Sequence, residues 1–173
     1  GDRLLAYEAL LRAGAGLLDA FWPVESDDWR RFIAQMRLAT VYPGLQGVGF
    51  GAPVEESGRA ATKVVLLEPL DDANRLALGF DMAGEPRRRA AMERAGNSGS
   101  PALSAKVVLI QDLRRGLHTA GFLLFLPVYS SQTLPATVPE RRQSLRGFVY
   151  GAFRAEDFFR TTLRGTVADA SIE

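Results

Sequence analysis

Three strand-forming segments follow one another in the second half of the chain, and no long helix separates them. They run from Ala102 to Gln111, from Gly121 to Tyr129 and from Leu145 to Arg154. A loop around His118 joins the first two, and a Pro- and Thr-rich loop with a short helix, Val138 to Ser144, joins the second pair. No strand–helix–strand repeat of the kind that builds parallel sheets is present. The order therefore predicts an α+β fold, an antiparallel sheet flanked by helices.

The middle strand of this group lacks the alternation of a half-exposed strand. Residues Phe122 to Leu126 are apolar without interruption. Such a strand is covered on both faces, or it lines an apolar pocket on one of them.

Apolar spacing and turn residues divide the rest of the chain into further elements. Pro23 ends the first helix, Tyr42-Pro43-Gly44 ends the second, and Asn97-Ser98-Gly99 closes a third. The predicted elements are a helix from Asp2 to Phe21, a helix from about Asp28 to Thr40, a glycine-rich strand from Leu45 to Gly51, a strand from Lys63 to Leu67, a helical turn from Asn74 to Leu78, a helix from Pro86 to about Ala95, and a last helix from Ala155 to Leu163.

The first helix carries a repeat of seven residues. Leu4, Leu11 and Leu18 follow this spacing, and Tyr7 and Phe21 fall on interleaved positions. The pattern is that of a seam in a two-helix stalk. Gly14, on the remaining seam position, weakens it, because glycine disfavours helix. The alternative is an amphipathic helix packed on its own domain.

Composition limits the classes of function. Of 173 residues, 47% are hydrophobic and 24% charged, as in folded soluble domains, and the net charge of +1 provides no field for nucleic acid or an anionic membrane. There is no cysteine and only one histidine, which excludes disulfides and thiolate sites and leaves at most an oxygen-ligand metal site. No apolar run is long enough to cross a bilayer. No cofactor is implied.

Catalytic patterns are scarce. The single histidine, His118, lies in a polar loop, and the pairs Asp71-Asp72 and Glu55-Glu56 are sequence neighbours whose side chains normally point apart. The segment Gly47 to Gly51 lacks the ending of a phosphate loop, so its glycines are interpreted as sites of close backbone packing. The run Arg87-Arg88-Arg89 has two interpretations. All three side chains lie on a solvated helix face, or one of them points into the domain and binds an anionic group of a ligand.

Several motifs together resemble the CHASE family of sensor domains. They occur in the order and spacing of that family and cover nearly the whole chain. They are Tyr42-Pro43-Gly44-Leu45-Gln46-Gly47-Val48-Gly49-Phe50, Leu78-Gly79-Phe80-Asp81, Gly99 with Leu103-Ser104, Phe125-Leu126-Pro127-Val128-Tyr129, Thr137-Val138 with Glu140-Arg141-Arg142, and Leu145-Arg146-Gly147-Phe148-Val149-Tyr150-Gly151.

The resemblance implies an extracytoplasmic sensor between two transmembrane helices of a bacterial inner-membrane receptor, in front of a histidine kinase or diguanylate cyclase. It implies a stalk helix, two PAS-like lobes and a homodimer along the stalk. By this scheme residues 1–41 form the stalk region, 42–65 part of a truncated membrane-proximal lobe, 66–160 the membrane-distal ligand-binding lobe and 161–173 the return to the proximal lobe. The sheet that contains Leu45 to Gly51 would then have an unpaired edge, open to a neighbouring chain.

The resemblance also places the ligand pocket between the sheet and the helix that begins at Pro86. Arg88 stands where plant relatives carry an adenine-binding Asp, Ile110 where a backbone carbonyl contacts the adenine, and Phe125 where they have Thr. Because a guanidinium cannot accept a hydrogen bond, Arg88 argues against a cytokinin and favours a ligand with an anionic head and an apolar body. The remaining candidates are Asp81, Ser104, Tyr129 and Tyr150. Asp81 is alternatively a helix cap, and Ser104 and Tyr129 alternatively satisfy backbone groups.

We therefore expect a small-molecule sensor that signals by a population shift, transmitted through a dimeric stalk. Two alternatives remain. One is a sensor that answers to a periplasmic protein partner and has no ligand of its own, which a large exposed apolar patch and a filled interior would favour. The other is a small hydrolase that uses Asp71 or Glu68, which requires carboxylates converging in a cleft.

Overall fold

The computed structural model describes residues 2–160, and side-chain surroundings from residue 4. Its centre is one antiparallel sheet with the strand order β2-β1-β6-β5-β3, in which β4 also pairs with β5. The strands are β1 (Leu45–Glu56), β2 (Arg59–Glu68), β3 (Ala102–Leu103), β4 (Val107–Val108), β5 (Ala120–Tyr129) and β6 (Leu145–Arg154). The predicted α+β class, with helices flanking an antiparallel sheet, is confirmed.

The helices of the described part lie on both faces of this sheet. They are α1 (Asp2–Ala20), α2 (Ser26–Met36), α3 (Leu38–Val41), α4 (Asp72–Arg75), α5 (Pro86–Ser98), α6 (Ile110–Leu113) and α7 (Val138–Ser144). A 3-10 turn, Met82–Gly84, precedes α5, and residues 155–160 are helical. Leu163, which we assigned to that last helix, lies outside the described residues.

The two faces of β5 belong to two different hydrophobic clusters. Phe122, Leu124 and Leu126 pack beneath α1 and α2, whereas Leu123 and Phe125 pack beneath α5. Successive side chains of a strand point to opposite faces. The uninterrupted apolar run therefore reflects burial on both faces, which was the first of our two alternatives.

Helix α1 packs on its own domain through the residues of the predicted seam. Tyr7, Leu11 and Leu18 are each at most 3% exposed and belong to the cluster beneath α1. Trp29 of α2 is fully buried in the same cluster, and its indole Nε1–H donates to the Val48 carbonyl oxygen (3.1 Å). The heptad-like pattern is thus used within the chain, and a stalk contact with a second chain would have to use another face of α1.

The glycines of β1 make room on the face beneath α5. A Cβ on Gly49 would lie 2.9 Å from Cε1 of Tyr150, and a Cβ on Gly51 would overlap the Met82 side chain. The interpretation of these glycines as sites of close packing is confirmed.

The predicted strand from Ala102 to Gln111 is wrong. Only β3 and β4 pair with β5, because the chain leaves the sheet at Ser104, whose Oγ accepts a hydrogen bond from the Leu123 N–H (2.9 Å). The chain turns into α6 at Ile110.

The predicted helix from Asp28 to Thr40 is also interrupted. Arg37 has φ +53°, in the left-handed region that few non-glycine residues adopt, and it separates α2 from α3.

Strand β1, which contains Leu45 to Gly51, is paired with both β2 and β6, so among the described residues β2 is the edge strand on this side of the sheet. The boundary that we placed at residues 65 and 66 falls inside β2, and residues 45–68 share one sheet with β5 and β6. The assignment of the chain to membrane-proximal and membrane-distal lobes stays a prediction, and residues 161–173 lie outside the described part.

A buried ion pair anchors α6 to the sheet. Asp112 is fully buried, and its carboxylate accepts hydrogen bonds from Arg154 Nη2 (2.8 Å) and Nε (3.3 Å). The hydrogen bond to Asp112 is the main cause that raises the pKa of Arg154. This pair fixes the segment that covers one end of the candidate site.

Candidate functional site

Arg88 lies in the interior although it belongs to a run of three arginines. It is 5% exposed, on the first turn of α5, whereas Arg87 and Arg89 are exposed. Its guanidinium donates from Nη2 to the Val108 carbonyl oxygen (2.9 Å) and lies 5.4 Å from the centre of the Phe80 ring. Burial lowers the pKa of Arg88, which the Glu85 carboxylate partly offsets. The alternative in which one arginine points inward is therefore the observed one.

Glu85 compensates this buried charge and starts the helix. Its carboxylate lies 3.4 Å from Arg88 Nη1 and accepts hydrogen bonds from the backbone N–H groups of Arg87 (3.0 Å) and Arg88 (2.8 Å). Partial burial opposes ionisation, but these hydrogen bonds and the arginine charges outweigh it and lower the pKa of Glu85. Sequence analysis missed Glu85. The signal was an acidic residue directly before Pro86, because proline favours the first helical position and side-chain acceptors favour the one before it.

Arg88, Ile110 and Tyr150 meet around a small interior cavity. It has a volume of about 10 Å³, roughly that of one water molecule. The remaining lining is mostly aliphatic: Val64, Leu67, Ala77, Phe80, Met82, Leu109, Gln111, Leu123 and Ala152. Only Phe80 and Ile110 in this lining are partly exposed, so they form the outer wall.

Tyr150 contributes a buried hydroxyl to this cavity. The residue is 3% exposed, and burial raises the pKa of its phenol, an effect that the charge of Arg88 reduces. The side chain lines the cavity, so its hydroxyl offers one donor and one acceptor beside the Arg88 guanidinium.

A pair of amides closes the cavity at the α6 end. Gln111 Nε2 donates to Asn74 Oδ1 (3.2 Å), and Asn74 Nδ2 donates to the carbonyl oxygens of Gln46 and Pro69. Both side chains are at most 5% exposed. Sequence analysis missed them, because neither stands in a motif and their contact spans 37 positions.

The structure places the other four predicted site residues elsewhere. Phe125 is fully buried, 6.0 Å from the Tyr150 ring and 6.1 Å from the Phe148 ring. Ser104 completes the sheet hydrogen bonding described above, and the Tyr129 hydroxyl donates to the Gly96 carbonyl oxygen (2.6 Å). These two follow the alternative in which they satisfy backbone groups.

Asp81 lines a different cavity and caps a different element than we expected. Its Oδ1 accepts hydrogen bonds from the backbone N–H groups of Ala83 and Thr62 (both 2.9 Å), so it caps the 3-10 turn, and Glu85 caps α5. Asp81 faces an open cleft of about 910 Å³ between the β1–β2 hairpin, α5 and the start of β6.

The carboxylates considered for hydrolysis are engaged locally. Asp71 Oδ1 accepts the Asn74 N–H (2.8 Å) and caps α4, and Glu68 Oε2 accepts the Leu70 N–H (3.0 Å). Across residues 2–160, no group of three or more His, Cys, Asp or Glu could hold a metal ion. Within the same range, no helix has the length and apolar character needed to cross a membrane.

The fold defines an α+β domain built on one antiparallel sheet, with a buried arginine at an interior cavity. A sequence model described as the CHASE domain matches residues 23–173, and the chain therefore belongs to the CHASE domain family. CHASE domains are extracellular sensory domains of signalling receptors and are not catalytic. No curated protein matches the chain.

Proposed function

We propose that this domain is the extracytoplasmic small-molecule sensor of a transmembrane receptor, and that its ligand binds at the cavity of Arg88 and Tyr150. The observation that carries this proposal is the buried Arg88 guanidinium, which shares an interior cavity with the Tyr150 hydroxyl. Buried arginines serve to hold carboxylates or phosphates, because the planar fork donates two parallel hydrogen bonds.

The anionic part of the ligand takes the place of Glu85 at Arg88. Glu85 is 26% exposed and 3.4 Å away, so its bond to the guanidinium is long and partly solvated. A guanidinium has five N–H donors, and the contacts to Val108 and Glu85 use only two of them. The Tyr150 hydroxyl supplies one further contact to the ligand head.

The apolar part of the ligand needs a larger cavity. Ligand pockets usually span roughly 300–1,000 Å³, far above the volume observed here. Phe80 and Ile110 form the partly exposed wall, so an outward movement of these two side chains opens the interior. A ligand that prefers the opened arrangement shifts the population towards it.

The change passes from α5 through the sheet to α1. The two helices lie on opposite faces of β5, and α1 contacts both β5 and β6. A homodimer is formed through the outward face of α1, where Leu5 is 63% exposed. Small residues follow this face at heptad spacing and are exposed: Ala6, Ala9, Ala13, Gly16 and Ala20. Small residues let two helices approach closely, which makes the contact sensitive to the tilt of α1.

The test is a thermal-shift screen against carboxylates, phosphates, purines and amino acids, followed by calorimetry of each hit. It compares wild type with Arg88→Met and with the matched control Arg87→Met, an exposed neighbour on the same turn. We expect a ligand at 100 times its Kd to stabilise the wild type and the control by about 2.7 kcal/mol, and Arg88→Met much less. Tyr150→Phe, which removes one hydroxyl only, weakens binding by about tenfold if this hydroxyl contacts the ligand. Equal affinity in wild type and Arg88→Met would contradict the Arg88 assignment.

A second candidate function is recognition of a protein partner without a small ligand. The filled interior favours it, and three exposed leucines lie on neighbouring segments at the end of the domain that α6 covers. Leu78 is 38% exposed, Leu113 47% and Leu117 40%. If no small molecule stabilises the wild type, and Leu113→Ser together with Leu117→Ser abolishes signalling in the full receptor while Arg88→Met does not, the protein-partner reading replaces the first.

A further inference from the structure

A second and larger cavity lies outside the proposed ligand site. Strand β1 pairs with β2 as far as Glu56 but with β6 only as far as Gly51. The end of the β1–β2 hairpin therefore projects beyond the sheet and forms one wall of the open cleft of about 910 Å³. Helix α5 forms the opposite wall. The volume lies in the range of small-molecule sites.

Three guanidinium groups face this cleft without a carboxylate partner. They are those of Arg59, Arg89 and Arg142, and within residues 4–160 none of them forms an ion pair. Two are held in place by hydrogen bonds: Arg89 Nη1 donates to the Ala83 carbonyl oxygen (3.0 Å), and Arg142 Nε to Asn97 Oδ1 (3.0 Å). The N–H groups on the two terminal nitrogens of Arg142 are therefore available to bind a ligand.

A carboxylate without a partner lies on α5 between Arg89 and Asn97, the residue to which Arg142 donates. Glu93 is exposed and lines the cleft, four residues after Arg89 and four before Asn97. Opposite charges at this spacing are neighbours on a helix surface and normally pair. Here they do not, because Arg89 is directed to Ala83 instead. The same wall therefore offers a positive and a negative group at the distance of adjacent helical turns.

The floor of the cleft is apolar. Met92 and Phe148 line it and are each 4% exposed, and Gly96 lies close to the Phe148 ring. A ligand for this cleft thus has an anionic group, a cationic group and an apolar body.

We propose that this cleft is a second ligand site, for a small zwitterion of the α-amino acid class. The guanidinium of Arg142 binds the carboxylate of the ligand, and Glu93, one helical turn before the Asn97 partner of Arg142, binds its ammonium group. The apolar side chain lies on Met92 and Phe148. The site is separate from the cavity of Arg88 and holds whether or not that cavity binds a ligand. The turn Met82–Gly84 contributes to both, since Met82 lines the interior cavity and Ala83 and Gly84 line the cleft.

The test is calorimetric titration of the 173-residue chain with leucine and with two analogues. The analogue 4-methylpentanoate lacks the ammonium group, and 3-methylbutylamine lacks the carboxylate. We expect leucine to bind and each analogue to bind at least about tenfold more weakly, because each loses one charge-assisted contact. Equal binding of leucine and 4-methylpentanoate would overturn the zwitterion assignment, and no heat with leucine, glutamate or lysine would overturn the site itself.

Variants assign any observed binding to the cleft. Glu93→Gln and Arg142→Gln change exposed side chains and should each weaken leucine binding by about tenfold, whereas Arg87→Gln, exposed on the same helix, should not. Arg88→Met separates this site from the proposed interior one. Loss of leucine binding in Arg88→Met with retention in Glu93→Gln would move the ligand to the interior cavity and overturn the cleft proposal.

Discussion

A Cβ atom on Gly14 would lie 3.0 Å from Cη2 of Trp29 and 3.4 Å from Cγ1 of Val149. The glycine that interrupts the heptad pattern of α1 is therefore the place where the helix approaches the buried tryptophan of α2. Helix α1, α2 and β6 meet at this point, and Trp29 is completely enclosed. The close approach explains a glycine in a helix interior, where it otherwise disfavours the helix.

We predict that Gly14→Ala destabilises the domain although alanine is the better helix former. Overpacking against Trp29 costs typically 1–3 kcal/mol, more than the roughly 1 kcal/mol gained in helix propensity. The matched control is Gly16→Ala, because a Cβ there meets no atom within 4 Å. The free energy of unfolding of Gly16→Ala should be higher than that of wild type by up to about 1 kcal/mol. Urea unfolding of both variants measures the difference, and stabilisation by both would show that α1 does not pack on Trp29.

We predict a pH-dependent contribution from the cap of α5. The pKa of Glu85 is lowered in the folded state, so its contribution to the free energy of unfolding is complete above the ordinary glutamate pKa of about 4.3. The contribution disappears as the pH falls through the folded pKa. Glu85→Gln should therefore have a free energy of unfolding about 1 kcal/mol below that of wild type at pH 7, and the two values should converge as the pH falls below the folded pKa of Glu85. Chemical unfolding at a series of pH values measures this, and a pH-independent difference would contradict it.

We predict that Tyr150 does not ionise in the folded protein near pH 10. Burial raises the pKa of its phenol, so the native absorbance change at 295 nm around that pH should be the same in wild type and Tyr150→Phe. The stability that follows from this shift is present below the unfolded pKa of about 10 and is lost as the pH rises towards the folded one. A smaller native absorbance change in Tyr150→Phe would show that the hydroxyl is accessible.

We predict that replacing Arg154, the partner of the buried Asp112, lowers the free energy of unfolding far more than replacing Arg160, the partner of the exposed Glu156. The Asp112 carboxylate is fully buried, and in Arg154→Gln it keeps only the Arg115 guanidinium at 3.9 Å. Removing one partner of a buried pair costs about 3–5 kcal/mol, because the other charge stays buried.

The control, Arg160→Gln, should lower the free energy of unfolding by no more than about 0.5 kcal/mol, since the pair of Glu156 and Arg160 is exposed. The double variant Asp112→Asn/Arg154→Gln should recover part of the loss, which a double-mutant cycle in urea measures. A loss of equal size in Arg154→Gln and Arg160→Gln would contradict the structural role of the buried pair.

The sequence predicted correctly the elements whose bounds depend on residues within the element or next to it. The bounds of α7 and β6 agree with the structure, and β5 begins one residue earlier than predicted. In α7 the signal was a threonine cap followed by Pro139 on the first turn, and the cap is observed, since Thr137 Oγ1 accepts the Glu140 N–H. The apolar residues of the segment Ala102 to Gln111 predicted one strand, but the Ser104 side chain accepts the Leu123 N–H, and only the short strands β3 and β4 pair with β5.

The candidate site was predictable only in part, because contacts between residues far apart in the chain decide which side chains share a cavity. Arg88, Ile110 and Tyr150 meet at one cavity, but Asp81 faces another. Phe125 points to the same face as Tyr150 but lies against its ring rather than in the lining. Tyr129 also reaches α5, but its hydroxyl donates to the Gly96 carbonyl oxygen.

The sequence by itself determined the class of fold and the family, because these depend on the order of apolar segments and on short motifs in a fixed order. The tertiary structure decided which of three consecutive arginines is buried, which face of α1 is covered, and which candidate side chains share a cavity. These outcomes depend on the rotation of each helix and the register of each strand. Both are set by contacts between residues far apart in the chain, such as Gly14 with Trp29 of the neighbouring helix and Val149 of the last strand.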